Sequence, residues 1–336
     1  MVDANVHSLE RQWRSVTFWH LLLLPLSWLF GAASALRRLS YRLHLLSTSR
    51  LPVPVIVIGN ISVGGTGKTP LALWLVRQLL DLGWHPGIIS RGYGGTADRI
   101  MRVVADSDPV KVGDEPLLLA QNLPCPVWIG KDRPAAGKAL LAAHPDTDIL
   151  ISDDGLQHLA LFRNLEIAVI DAARGTGNGF LLPAGPLREP LSRLKCVDAV
   201  VINRSGSTHP DLPSGPNFYM DFIGTVFRNL KFPEKQASAA DFYGKQLHAI
   251  AGIGHPQRFF DQLAAMGLDC IVHPFPDHHN YLAHELNFPG ILIMTEKDAV
   301  KCQTIATEQM WMLPVRAEVD PRLMPHLLAK LGNHHG

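Results

Sequence analysis

An apolar run, Val55-Ile56-Val57-Ile58, leads into Ile61-Ser62-Val63-Gly64-Gly65-Thr66-Gly67-Lys68-Thr69, and a second apolar run, Leu71-Ala72-Leu73-Trp74-Leu75-Val76, follows. Strand, glycine loop and helix in that order are the setting of a phosphate-binding loop. Backbone N–H groups at a helix start can surround phosphate oxygens, and the helix dipole favours their charge. The nucleotide-binding residues expected here are Ser62, Val63, Gly64, Gly65, Thr66, Gly67, Lys68 and Thr69. Lys68 would reach the outer phosphates, and Thr69 would give an oxygen to magnesium. Ser62 stands where the strict G-x-x-x-x-G-K-[ST] pattern has glycine, so a glycine-rich turn is the bland alternative.

The 336 residues are long enough for two domains, and 31 Lys/Arg against 30 Asp/Glu leave a formal charge of +1. That balance gives no bulk pull toward nucleic acid, and no nucleic-acid partner is expected. Cys125, Cys196, Cys270 and Cys302 are scattered without C-x-x-C spacing. They read as reduced, mostly buried thiols of a cytosolic compartment.

From Val16 to Leu36 no Asp, Glu, Lys or Arg occurs, while Leu21-Leu22-Leu23-Leu24, Phe18, Trp19, Trp28 and Phe30 do. As a helix this segment would be about 31 Å long, enough to cross a hydrocarbon core. His20 and Pro25 interrupt it, so a span, an interfacial helix and a buried core helix all stay open. Arg11 and Arg14 precede it and Arg37, Arg38 and Arg42 follow, a weak bias that places the downstream body in the cytoplasm.

Further on, short apolar strands alternate with helices, as in a parallel sheet, and polar residues gather just past the strand ends. The expected fold class is α/β: a P-loop NTPase-like, mostly parallel sheet, a second smaller α/β domain and an N-terminal membrane-associated helix. The expected divisions are residues 1–48 for the membrane segment, 49–215 for the nucleotide unit, 216–237 for a Pro/Gly/Ser-rich linker and 238–336 for the second unit. Thr225-Val226-Phe227 is a short strand candidate inside the linker. Gly252-Ile253-Gly254-His255-Pro256 reads as a tight strand-to-helix turn rather than half a dinucleotide fingerprint, because Gln257 replaces the third glycine.

Asp153 and Asp154 follow the strand Ile149-Leu150-Ile151-Ser152, where a metal-handling acid is expected, although either could be a turn cap. Asp114, in Gly113-Asp114-Glu115-Pro116, sits at a loop–helix boundary and by itself reads as a cap. His273, Asp277, His278 and His279 have a metal-like composition without a zinc signature; a carboxylate–imidazole pair could instead relay a proton.

Taken in order, these motifs resemble the tetraacyldisaccharide 4'-kinase family of lipid A biosynthesis. The resemblance rests on Gly59-Asn60 through Pro70, Ser90-Arg91-Gly92-Tyr93-Gly94, Gly113-Asp114-Glu115-Pro116 and Asp153-Asp154-Gly155-Leu156-Gln157-His158. It continues through Leu182-Pro183-Ala184-Gly185-Pro186-Leu187-Arg188-Glu189, Phe275-Pro276-Asp277-His278-His279 and Thr295-Glu296-Lys297-Asp298. The family's own loop carries the Ser62 departure. The resemblance implies ATP and Mg2+ as cofactors and transfer of the γ-phosphoryl group to the 4'-hydroxyl of tetraacyldisaccharide 1-phosphate, giving lipid IVA. It implies a site at the bacterial inner membrane facing the cytoplasm, with no obligate protein partner, and a β ribbon within the linker. It assigns catalysis to Asp114, partnered across a cleft by His278, with Lys68 and Asp154, and metal handling to Thr69, Asp153 and Asp154. Arg91, Arg188 and Lys297 are weaker candidates for phosphate binding. The runner-up is a nucleotide-dependent switch, for which Thr295-Glu296-Lys297-Asp298 would be a guanine motif with its lysine one place late.

Overall fold

The computed structural model describes Trp13, residues 16–204 and residues 215–332. Arg11, Arg14 and the 205–214 part of the expected domain boundary lie outside the described residues.

Helix α1 (Phe18–Arg42) contains Pro25, and its only buried residues are His20 and Ser27, two of the polar breaks in the apolar run. His20 Nδ1 accepts from the Thr17 backbone N–H at 2.9 Å, closing the helix start. The Ser27 hydroxyl donates to the Leu181 carbonyl and accepts from the Ala184 N–H, both at 2.9 Å. Arg38 reaches Glu189 at 3.3 Å. A polar seam thus ties α1 to segment 181–189, leaving Phe18, Trp19, Trp28 and Leu29 at least 67% exposed. The helix is long and apolar enough to cross a membrane, and only 11% of its apolar window is buried. A core helix would show the reverse, so that alternative falls.

After α1 come β1 (Val55–Gly59), α2 (Lys68–Asp81), β2 (Pro86–Ser90), β3 (Met101–Val103), α3 (Pro109–Val112), α4 (Asp114–Asn122), β4 (Val127–Ile129) and α5 (Arg133–Ala143). Then follow β5 (Ile149–Asp153), β6 (Leu165–Asp171), β7 (Ala199–Asn203) and β8 (Asn217–Ile223). With β15 (Arg316–Val319) these strands form one sheet in the order β15-β8-β7-β6-β1-β5-β2-β4-β3. The seven inner strands pair parallel, while β3 and β15 run antiparallel at the two edges. Strands β1, β2, β5 and β7 are buried at every position, which is why they read as unbroken apolar runs and not as alternation.

A second sheet, also mixed, has the order β10-β9-β14-β13-β11-β12, from β9 (Phe227–Asn229), β10 (Gln236–Ala237), β11 (Leu247–Ala251), β12 (Cys270–Pro274), β13 (Ile291–Thr295) and β14 (Met310–Leu313). Helices α6 (Pro256–Ala265) and α7 (Glu296–Cys302) follow β11 and β13, and α8 (Leu323–Gly332) ends the described chain.

Two stretches depart from the divisions expected from composition. Residues 216–237 do not simply link the units: β8 pairs parallel with β7 and antiparallel with β15 inside the first sheet, and β9 and β10 edge the second. The short strand begins at Phe227, not Thr225. The end of the chain also returns to the first unit, where Leu323, Met324, Leu327 and Leu331 share one apolar cluster with Ile56, Leu71 and Val201. Periodicity announces a strand or a helix, but the sheet it joins depends on long-range pairing that periodicity does not carry. The thiols are less buried than expected: Cys302 is buried, Cys125 and Cys270 are partly exposed, and Cys196 is exposed. All four are free.

Candidate active site

The glycine loop leaves the C-terminal end of β1, at the centre of the sheet, where neighbours β5 and β6 carry the chain to opposite sides. Ligands of open α/β sheets settle at this kind of crevice. Two buried amides hold the loop: Asn60 Nδ2 donates to the Gly64 carbonyl at 3.2 Å and Asn203 Nδ2 to the Thr66 carbonyl at 3.3 Å. Segment 186–188 runs beside it, with Val63 N–H bonded to the Pro186 carbonyl at 2.9 Å and Arg188 N–H to the Ile61 carbonyl at 2.7 Å. Gly67, the residue before α2, has φ +100, and a Cβ there would lie 2.7 Å from Phe222. Both the left-handed backbone and the close approach require glycine. Lys68 and Thr69 occupy the first turn of α2, beside N–H groups that the helix itself cannot satisfy.

Strand β5 delivers Asp153 and Asp154 next to this loop. Asp154, at φ +48, lies between Lys68 Nζ at 3.4 Å and Arg188 Nη1 at 3.6 Å. Burial would raise its carboxyl, but the two cations outweigh burial and pull it below the usual carboxylate range. Asp153 is fully enclosed and neither carboxylate oxygen has a hydrogen-bond partner. Burial, then the nearby charge of Glu115, pushes its carboxyl well up. Arg133, also buried, donates to the Asp153 carbonyl at 3.2 Å and so backs the acid from behind. A buried carboxylate with both oxygens unpaired is the state expected of a group whose partner is a cation or its water. Among the described residues no three His, Cys, Asp or Glu side chains form a closed metal cage.

Asp114 opens α4 and is buried. Its Oδ1 accepts from the Glu115 N–H at 2.9 Å, but it does not cap the helix: the N-cap position is Gly113, and no side chain caps the helix start. Across the cleft His278 Nδ1 lies 2.9 Å from both Asp114 oxygens. His278 has φ +61, a costly backbone for a non-glycine residue of the kind that clusters at working sites. Tyr93 packs edge-on against its ring at 5.3 Å. Burial would raise the Asp114 carboxyl, but the His278 hydrogen bond and the Lys297 charge bring it down to about 2. Burial would lower the imidazole, but its bond to Asp114 leaves it raised.

The two units also touch beside the glycine loop. A Cβ on Gly254 would sit 3.3 Å from the Gly65 nitrogen and 3.4 Å from Asp277, so the turn after β11 closes against the loop. Arg258 Nη2 donates to both oxygens of buried Asp171 at 2.7 and 2.8 Å. Sequence reading passed over Asp171, Arg258, Glu115, Asn60 and Asn203. Asp171 did carry the available signal, a carboxylate at the end of an apolar strand, as Asp153 does.

The metal-like group of the second unit separates. His278 faces Asp114, His279 lies 3.1 Å from Glu285, and His273 pairs with His248 at 2.9 Å. Lys297 reaches carboxylates and Arg188 reaches Asp154, while Arg91 lies exposed past the end of β2. Asp298 is fully buried, bonded by the Gly252 N–H, Tyr281 and Lys301, so it is engaged internally and not free to read a guanine.

The profile of the tetraacyldisaccharide-1-P 4'-kinase family matches residues 19–332. The chain belongs to this family. Tetraacyldisaccharide 4'-kinases of Azoarcus sp. (strain BH72) and Methylobacillus flagellatus are 53% and 50% identical to it, each over 96% of this chain and 95% of the relative. A crystal structure of LpxK from Aquifex aeolicus, described as in complex with ATP, superposes with a TM-score of 0.80 at 29% identity, covering 93% of this chain and 98% of that one. Membership makes this kinase a phosphotransferase, and the polar cleft between its units is where its chemistry is sought.

Proposed function

We propose that the chain transfers the γ-phosphoryl group of ATP to the 4'-hydroxyl of tetraacyldisaccharide 1-phosphate, forming lipid IVA, with Asp114 and His278 as the proton-accepting pair. The fold of the first unit is read as P-loop NTPase-like. The observation that carries the reading is the Asp114–His278 contact between the two units, which also meet where Gly254 approaches Gly65 of the glycine loop. In the in-line step the 4'-oxygen bonds to phosphorus as the bond to ADP breaks. Lys68 and the N–H groups of residues 62–69 hold the charge spread over the phosphoryl oxygens. Bound Mg2+ adds Lewis-acid charge at those oxygens; Thr69, Asp153 and Asp154 would hold it. Asp114, ionised at any physiological pH, takes the hydroxyl proton and passes it to the Nδ1 lone pair of neutral His278, in the tautomer that carries its hydrogen on Nε2. Without that second acceptor a carboxylate would be a weak base at neutral pH.

The test is transfer of label from γ-labelled ATP to tetraacyldisaccharide 1-phosphate with magnesium, the lipid product being resolved. Nucleotide hydrolysis with no labelled lipid from folded protein would overturn the reading.

Helix α1 anchors the enzyme at the inner membrane, with the catalytic units on the cytoplasmic side where ATP is supplied. The polar seam at Ser27 and Arg38 faces the protein, and the aromatic face is left for lipid. Changing Trp19, Trp28 and Leu29 together to serine should weaken vesicle binding at least ~100-fold, since each buried apolar side chain contributes roughly 1.5–3 kcal/mol. ATP binding should not change. Equal co-sedimentation of the wild type and the triple variant would reject this face as the anchor.

A further inference from the structure

We infer that Lys297 is a positioning residue of this reaction: its ammonium, held between two carboxylates of the facing unit and Asp277 of its own, keeps Asp114 aimed and His278 free to take a proton. Nζ lies 3.0 Å from Glu115, 3.4 Å from Asp277 and 3.7 Å from Asp114. Glu115 and Asp114 come from α4 of the first unit, and Lys297 from α7 of the second, which packs against α4. The start of α7 is stiff: the Thr295 hydroxyl caps the Asp298 N–H at 3.1 Å, and Asp298 is itself locked by Tyr281 and Lys301. The lysine stem therefore leaves a fixed point, and its head ties the two halves of the candidate site together. Three carboxylates surround the Lys297 ammonium, whereas the ion pair of Lys68 is with Asp154 at 3.4 Å.

The inference deepens the proposed proton relay and rests on it. His278 faces Asp114, Asp277, Lys297 and Tyr93, with Lys301 one turn further along α7. Burial favours the neutral imidazole, Asp114 and Asp277 favour the protonated one, and Lys297 opposes them. A protonated imidazole has no lone pair for the proton arriving through Asp114. Lys297 is the positive charge that limits this, so its removal should move the imidazole further up and demand a higher pH for turnover.

The test compares pH profiles of kcat for full-length wild type, Lys297→Met and Lys297→Arg with ATP and tetraacyldisaccharide 1-phosphate. Lys297→Met should lower kcat at pH 7 about tenfold and raise the acid limb by about one pH unit, with both KM values within about twofold. Lys297→Arg should restore most of the rate and the position of the limb. If Lys297→Met does not fold, Lys297→Met/Glu115→Gln, which also removes one carboxylate, is compared with Glu115→Gln and should show the same upward shift. An acid limb that stays in place, or a loss confined to KM for ATP or lipid, overturns the inference in favour of packing or phosphate binding. A wild type that phosphorylates no lipid overturns the proposed function instead.

Discussion

Asp114→Ala is expected to lower lipid phosphorylation by about 10³-fold, within the range assigned to a positioned general base, while ATP affinity is retained. The side chain is buried and held from both sides, by the Glu115 N–H at 2.9 Å and by His278 at 2.9 Å. The fold should tolerate the change, because Lys297 keeps Glu115 and Asp277 as partners. His278→Ala should cost less, since the carboxylate stays and only its proton partner is lost. If the two share one relay, the double variant should lose far less than the sum of the separate free-energy effects. The pH profile supplies an independent check. Asp114 lies near 2 and is already ionised, so the acid limb belongs to His278, whose bond to Asp114 raises it from the ordinary histidine value. Turnover should fall as pH drops through that value, and the limb should vanish in His278→Ala. Additive losses, or weakened Mg-ATP binding in Asp114→Ala, would move Asp114 out of the relay and toward the metal.

Lys68→Ala is the second large effect, an expected loss of about 10²–10³-fold in kcat, comparable to removing one charge-stabilising donor from a transition state. Lys68 occupies the first helical residue of α2 and lies 3.4 Å from Asp154. Its removal takes away the cation proposed to face the phosphoryl group and leaves Asp154 with Arg188 as its nearest counter-charge. Asp154 should then become easier to protonate, and the Mg-ATP requirement should rise together with the fall in kcat. Lys68→Arg should recover little, because a planar guanidinium does not fit the space of a point charge at the end of a glycine loop. Titration calorimetry with ATP and magnesium, alongside single-turnover rates, separates the two effects. Unchanged turnover in Lys68→Ala would exclude it from the phosphoryl site.

Much of this protein was legible before any coordinates because its elements are locally determined. The strand–loop–helix of residues 55–81 reads directly, since backbone geometry at Gly67 and the apolar helix that follows are short-range properties. The same holds for the apolar helix at the N-terminus, whose length and composition need no partner to be recognised. His20, which looked like a flaw in a membrane segment, closes the helix start by bonding Thr17, and Ser27 ties the helix to segment 181–184. That could not be seen from hydropathy, which records how polar a residue is and not what it bonds.

What the sequence determined by itself was a glycine loop between a strand and a helix, a series of buried parallel strands, an acidic pair at the end of one of them and an apolar helix. Each element is encoded within a continuous local stretch of chain, through periodicity, glycine placement or the absence of charge. The tertiary structure decided the rest. It sent β8 and β15 to the first sheet, returned α8 to the first core, split the histidine-rich loop among three different partners and closed Lys297 onto Glu115. Those outcomes depend on pairings between residues far apart in the chain, such as Lys297 with Glu115 and His278 with Asp114. A carboxylate at a helix start looks the same in sequence whether it ends as a cap or faces a histidine across a cleft; only the packing of the two units distinguishes them.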